Sequence, residues 1–336
     1  MRKRLPIELF ALLYLLAYLP YVLAVRWLAS VTYPPLGRAL SGLEILPATM
    51  ILSGALTWAF VGLSGWSKDA HHREILGVSL PWPTRWTVLS GIGTSLLLFT
   101  VPLSFTFAGV SIPFMQLLMR GDVLVIAPLV DLVSGRRVAW YSWVALLLVG
   151  IGLTLTISHR GGLHLPPLAI LTVVLYALGY FVRLAVMTKI GKTGDPKTTR
   201  GYFVEEKLVA IPLAMAALAA ISLLGLGPQG GELAFGFVQV WSSNQLGVIA
   251  LISGLLVVVS VFSLLILLDP RENTFCVPIE RAASVLAGTA AAYILAAMSL
   301  GPAPTVSELS GAVLLTAAIG VLAIGPRLRP RPPLRS

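Results

Sequence analysis

Charge is what this 336-residue chain has least of. Only 11% of its residues are Asp, Glu, Lys or Arg, where a soluble domain carries about 25%. Cysteine is nearly missing as well. Cys276 stands alone, so neither an intrachain disulfide nor a thiolate metal cage can form. The four histidines, His71, His72, His159 and His164, fall in stretches expected to be loops. The pair His71-His72 with Glu74 has no third and fourth ligand at usable spacing. No GxxxxGK[ST] accompanies the Gly161-Gly162 turn, and no Gly-x-Ser-x-Gly or His-Glu-x-x-His occurs. These absences exclude a globular cytosolic enzyme, a disordered chain and a nucleic-acid-binding domain with a water-exposed basic coat. No cofactor and no metal is expected.

What is present is apolar length. Hydrophobic residues make up 57% of the chain and the mean hydropathy is +0.89. A bilayer-spanning helix needs roughly 20 mainly apolar residues. That window finds ten stretches, near 6–26, 39–64, 86–107, 110–133, 138–158, 167–188, 201–225, 245–268, 273–298 and 306–325. The expected fold class is therefore an all-α integral membrane protein of ten transmembrane helices. Met1 to Ala24 resembles a signal peptide in its basic start and apolar run. Pro20 and Arg26 interrupt a clean cleavage site, so the segment is expected to stay as the first span. The piece Leu233–Trp241 reads either as a short interfacial amphipathic helix or as an ordinary loop with belt aromatics. Ser79 to Pro83 reads as a helix entry, with Trp82 and Trp86 as interface anchors.

The net charge of +10 is a topology signal. An even span count puts both termini on one side. That side collects Arg2, Lys3 and Arg4; Lys68, Arg73 and Arg85; Arg136 and Arg137; Lys189, Lys192, Lys197 and Arg200; Arg271; and Arg327, Arg329, Arg331 and Arg335. The other side holds Arg26, Arg38 and Arg160. Such a bias fits the positive-inside rule with both termini cytoplasmic, in the cytoplasmic (inner) membrane.

A repeat is also legible. Residues 1–160 and 161–336 align at an offset near 161–162: Arg38 falls on Arg200, Glu44 on Glu206 and Arg120 on Arg281. Gly150-Ile151-Gly152 falls on Ala318-Ile319-Gly320 after a short gap. Each half holds five spans, an odd number, so the halves would insert with inverted topology. That pattern places a substrate site near midplane at the repeat interface.

The segment Pro113-Phe114-Met115-Gln116-Leu117-Leu118, the Arg136-Arg137 turn, and Trp143 running to Gly150-Ile151-Gly152 resemble the helix 4–helix 5 region of the drug/metabolite transporter superfamily. Its EamA-like members are the nearest in pattern, and the ten-span architecture resembles them over nearly the whole chain. The resemblance implies a transporter. Two features depart from the family pattern: no acidic residue stands at the helix 4–5 turn, and Arg120 lies deep in a normally apolar helix.

Intramembrane charges are the candidate site. Each costs at least about 2.5–3.5 kcal/mol at the bilayer centre and is a functional hypothesis by default. Arg120 lies about ten residues into its span, roughly 15 Å deep, and Arg281 about eight, roughly 12 Å. Gln116 shares a helix face with Arg120 at i, i+4; Glu280 precedes Arg281. Arginine keeps its proton, and its planar fork suits carboxylate or phosphate. Arg120, Gln116, Arg281 and Glu280 are therefore the expected substrate-binding residues. The competing reading pairs both arginines internally, with Glu44, Glu205, Glu206, Glu280 or Asp122. A carboxylate in a low-dielectric setting can load and release a proton, which makes Glu206, Glu205 and Glu44 the proton-coupling candidates. Alternatively Lys207 pairs with one of these acids. Arg183 is expected to snorkel to the cytoplasmic face.

The function that follows is alternating-access transport of a small anionic or zwitterionic, amphipathic metabolite. The expected partners are that small-molecule or lipid-like substrate and membrane lipids, with no nucleic acid, and the chain is a monomer or homodimer. The rival is an intramembrane transferase acting on a lipid-linked phosphate. Against it, the loops lack a metal-binding acidic cluster or a His–Asp pair. A third reading is a non-transporting lipid-binding partner.

Overall fold

The computed structural model describes residues 7–75, 77–107, 110–133, 140–159, 165–225, 227–270 and 273–325. Helices dominate. They are α1 (Ile7–Leu28), α2 (Gly42–Ser64), α3 (Arg85–Ser104), α4 (Ile112–Val133), α5 (Trp140–His159), α6 (Pro167–Val186), α7 (Pro196–Leu223), α8 (Gly227–Val238), α9 (Leu246–Leu267), α10 (Asn273–Ala297) and α11 (Val306–Ile324). Their starts are written locally. Ser41 and Glu44 close a reciprocal capping box on α2, and Thr305 and Glu308 do the same on α11. Asp195 caps α7 and Pro196 follows at its first position, where a missing N–H costs nothing. Gly65 ends α2 at φ 70, a left-handed position that glycine takes without strain.

Seven helical segments among the described residues are long and apolar enough to cross a membrane: Ile7–Leu28, Gly42–Ser64, Arg85–Ser104, Pro167–Gly191, Pro196–Leu223, Leu246–Leu267 and Ile279–Ala297. The molecule is a multi-pass, all-α membrane protein. Its outward faces confirm that solvent: Leu63, Leu147, Leu178 and Leu251 are exposed, the reverse of what water tolerates in bulk. The ten stretches expected from hydropathy each coincide with a helix to within about five residues, all but α8 being accounted for this way.

Packing pairs the helices across the chain. α1 lies on α9 and α10, and α6 on α3 and α4; α2 lies on α9, α7 on α3, and α5 on α11. Small residues permit the closest crossings. A Cβ on Gly93 of α3 would sit 2.7 Å from the Gly179 carbonyl oxygen of α6, and one on Gly179 would sit 2.6 Å from that of Gly93. Association inside a bilayer draws on such close packing rather than on the hydrophobic effect. Gly152 and Gly311 meet less tightly, at 3.4 to 3.5 Å, where α5 crosses α11, whereas Gly150 and Gly320 face open space.

Three local features differ from expectation. Residues 72–81, expected to be loop and helix entry, form an antiparallel hairpin, β3 (His72–Ile75) against β4 (Val78–Pro81); a shorter pair, β1 (Thr32–Tyr33) and β2 (Arg38–Ala39), lies between α1 and α2. The connection between α7 and α9 contains α8. Its Leu233 and Gly236 are buried against α2 and α7, because the glycine lets it settle on the Glu44 carbonyl and the Pro47 ring. The Arg136-Arg137 turn, Arg160, Gly161-Gly162, His164, Arg271 and both basic termini lie outside the described residues, as do the side chains of Asp122 and His159.

Candidate functional site

Six helices converge on one buried cluster. On α1, Tyr14, Tyr18 and Tyr21 are spaced 4 and 3, so they share a face, and all three are buried. On α6, Tyr176, Tyr180 and Arg183 share another. Arg120 comes from α4, Glu280 and Arg281 from α10, Ser263 from α9 and Lys207 from α7. The two arginines that the repeat aligns meet at a single phenol: Arg120 Nη1 and Arg281 Nη1 both donate to Tyr176 Oη. Arg120 Nη2 donates to Tyr18 Oη at 2.7 Å. The Arg281 guanidinium stacks 4.0 Å from the Tyr180 ring centroid, a cation–π contact that desolvation strengthens.

These side chains enclose a cavity of about 80 Å³, room for a handful of waters. Four cations line it, Arg120, Arg183, Lys207 and Arg281, against one lining carboxylate, Glu280. Several of their polar atoms are unmet. Arg120 Nε, Arg281 Nε, Arg281 Nη2 and Glu280 Oε2 are buried without a hydrogen-bond partner. Arg281 Nε lies 3.5 Å from Glu280 Oε2, an ion-pair distance with poor hydrogen-bond geometry. Glu280 Oε1 accepts from Ser263 at 2.9 Å. A buried donor left unmet costs about 1–3 kcal/mol, more when charged, so this cluster is built at a cost.

Behind one wall sits a second, saturated cluster. Glu206 accepts from Arg183 Nε at 2.9 Å and Nη2 at 3.3 Å, from Ser90 and Thr94 hydroxyls at 2.8 Å each, and from Tyr202 at 3.3 Å. Arg183 therefore does not snorkel. It is 8% exposed and turns inward, because a carboxylate on the neighbouring helix offers a two-pronged match that the interface does not.

The remaining sequence candidates lie elsewhere. Gln116 is buried between α4 and α10, donating to the Ser284 carbonyl at 3.0 Å and filling the space a Gly288 side chain would need. Glu44 is committed to its capping box and to Arg38 at 2.6 Å. Glu205 holds the hairpin: it accepts from the His71 and Thr84 backbone amides at 3.0 and 3.3 Å and from the Thr87 hydroxyl at 2.9 Å, with His71 Nδ1 2.7 Å away. The structure thus brings together Arg120, Arg281 and Glu280, and leaves Gln116, Glu44 and Glu205 outside the cavity lining; Glu206 reaches it only through Arg183 and Thr94. The tyrosines were missed by sequence reasoning, as aromatics in apolar helices read as core. Their i, i+4 spacing on two helices was the available signal, since buried phenols require hydrogen-bond partners.

No family model and no curated protein matches the chain at a significant level. Among solved structures the fold does recur. One, described as "Crystal structure of protein", is similar at a TM-score of 0.54 with 14% sequence identity, covering 96% of this chain and 99% of that one. At that identity the likeness speaks for the fold alone, over nearly the full length of both chains.

Proposed function

We propose that this protein is a membrane transporter that carries a small anionic metabolite by alternating access around the arginine–tyrosine cavity. The observation that carries the reading is the imbalance of the cavity wall: four cations against one lining carboxylate, with guanidinium N–H groups pointing nowhere. Such forks are matched by carboxylate or phosphate oxygens. Ligand sites usually run to about 300–1,000 Å³, so a cavity of about 80 Å³ suits a closed state between two open ones.

Ten spans with both termini cytoplasmic, and two inverted five-helix halves, belong to the same reading. Packing supports the halves: with α6, α7, α9, α10 and α11 taken as counterparts of α1 to α5, the contacts of α1 with α9 and α10 exchange into those of α6 with α3 and α4. The contact of α2 with α9 exchanges into that of α7 with α3. The resemblance to EamA-like drug/metabolite transporters fits this arrangement. The test is flux. Purified protein in liposomes should move labelled succinate or phosphate, recovered chemically unchanged; chemical conversion of a lipid phosphate without flux would instead establish the transferase reading. Mass spectrometry of the co-purified small molecule would name the cargo.

A further inference from the structure

Lys207 is the one of the four lining cations that can give up its charge. It is 3% exposed and makes no hydrogen bond or ion pair among the described residues. Its ammonium lies 5.5 Å from the centroid of the Phe203 ring. Glu206, next to it in sequence, points about 100° away around the helix and is occupied by Arg183 and three hydroxyl groups. Lys207 also stands between two voids. One is the central cavity; the other, about 10 Å³ and lined by Ser53, Thr57 and Ser260 among α2, α7 and α9, has the size of one water.

We infer that Lys207 is the proton-carrying group of the cavity, an ammonium while an anion is bound and an amine once the cavity has emptied. The inference rests on the anion-transport reading. The groups facing Lys207 from α4 and α10 include Arg120 and Arg281, and from α6 Arg183; none can release a proton in a protein. The phenols of Tyr14 and Tyr18 on α1 and Tyr176 and Tyr180 on α6 titrate ordinarily near 10. From α2, α3 and α9 the polar groups lining the two voids are hydroxyls: Ser53, Thr57, Thr94, Ser260 and Ser263. Glu232 of α8 is tied to Ser41, at 2.5 Å, outside the cavity lining. On its own helix, Glu206 is taken by five donor contacts and Tyr202 shares that network. Glu280 alone, with one oxygen unmet, competes for the role. By linkage, an anion that binds the ammonium more tightly than the amine takes up a proton as it binds and releases it as it leaves. One proton then enters Lys207 from water on the loading side and departs to water on the unloading side, with the anion.

Two measurements decide it. The first needs no cargo: thermal unfolding of purified full-length protein and its Lys207→Arg, Lys207→Met and Glu280→Gln variants, scanned from about pH 5.5 to about pH 9. Wild type and Lys207→Arg should melt in parallel at acid pH and separate as pH rises, since only lysine can discharge. Glu280→Gln should keep that separation relative to its own Lys207→Arg double variant. Parallel curves throughout, or a separation that vanishes with Glu280, overturn the inference. The second uses liposomes filled with a pH-sensitive dye and given labelled succinate. Protons accompanying each succinate should fall toward none in Lys207→Arg; an unchanged ratio overturns the inference. Absence of succinate and phosphate flux in wild type would remove the transport reading instead, and the melting curves would still judge Lys207.

Discussion

Glu206 and Glu280 are both buried carboxylates beside an arginine, yet they are constructed in opposite ways. Glu206 receives five hydrogen bonds, two of them from Arg183. Glu280 receives one, from Ser263, and faces Arg281 across 3.5 Å with an oxygen unmet. A protein that needed both pairs only for stability would have satisfied both, because a half-satisfied buried network is worse than an apolar one. The contrast marks the first pair as structural and supports the proposal that the second, with Arg120, serves an occupant.

The largest effect should come from breaking the finished pair. Arg183→Gln strands Glu206 in the bundle and should cost about 3–5 kcal/mol of stability, read as a collapse of the apo melting temperature. The double variant Arg183→Gln/Glu206→Gln should recover much of that loss. If single and double variants melt alike, the pair is not the structural unit described.

Next in size is overpacking at the α3–α6 crossing. Gly179→Ala would drive a methyl against the Gly93 backbone and should cost about 1–3 kcal/mol, with no such loss for Gly150→Ala, which faces open space. Equal melting of the two variants would refute the close approach.

The unfinished pair should respond differently. Arg120→Lys or Arg281→Lys should leave apo melting nearly unchanged while the thermal shift produced by succinate or phosphate disappears. Loss of a charge-assisted contact is worth about 1.5–3 kcal/mol, roughly ten- to a hundredfold in affinity. A collapsed apo melting temperature with an intact ligand shift would move these arginines to the structural class of Arg183.

The smallest effect lies outside the membrane. Asp195 caps α7, and the Thr198 backbone amide, followed by the Thr198 hydroxyl and the Lys197 amide, holds its carboxyl below the usual range. A carboxyl lowered in the folded state contributes stability that is present above its unfolded value and is lost as pH falls through the folded one. Asp195→Ala should therefore melt slightly below wild type at neutral pH, and the two should converge in acid. A gap that persists or widens in acid would contradict the cap.

Hydropathy made most of this fold legible, because a bilayer demands continuous apolar length and ten such runs stand out. The hairpin at 72–81 was not legible. Its strands are four residues each, and its turn hangs on Gly77 at φ 76, a conformation that one glycine among 31 does not announce. Within the site, Arg120 and Arg281 stood out by depth, since charge is rare there. The partner of Glu206 did not: Arg183 is 23 residues away on another helix, and only the packing of α3, α6 and α7 brings them together. Glu44 was misleading for the opposite reason, as its Ser41 box is a local cap signature that repeat matching overlooked.

The phenol shared by Arg120 and Arg281 has a consequence for selectivity. Tyr176 is a resident stand-in, tethered to the wall and never able to diffuse off, so its local concentration is fixed far above that of any solute. On the transport reading, an incoming anion would have to outbid it for two guanidinium groups at once. An anion with several oxygens can meet both forks, which a single-point ion cannot do. The tyrosine would then act as a threshold, favouring anions by how many oxygens they offer rather than by charge alone.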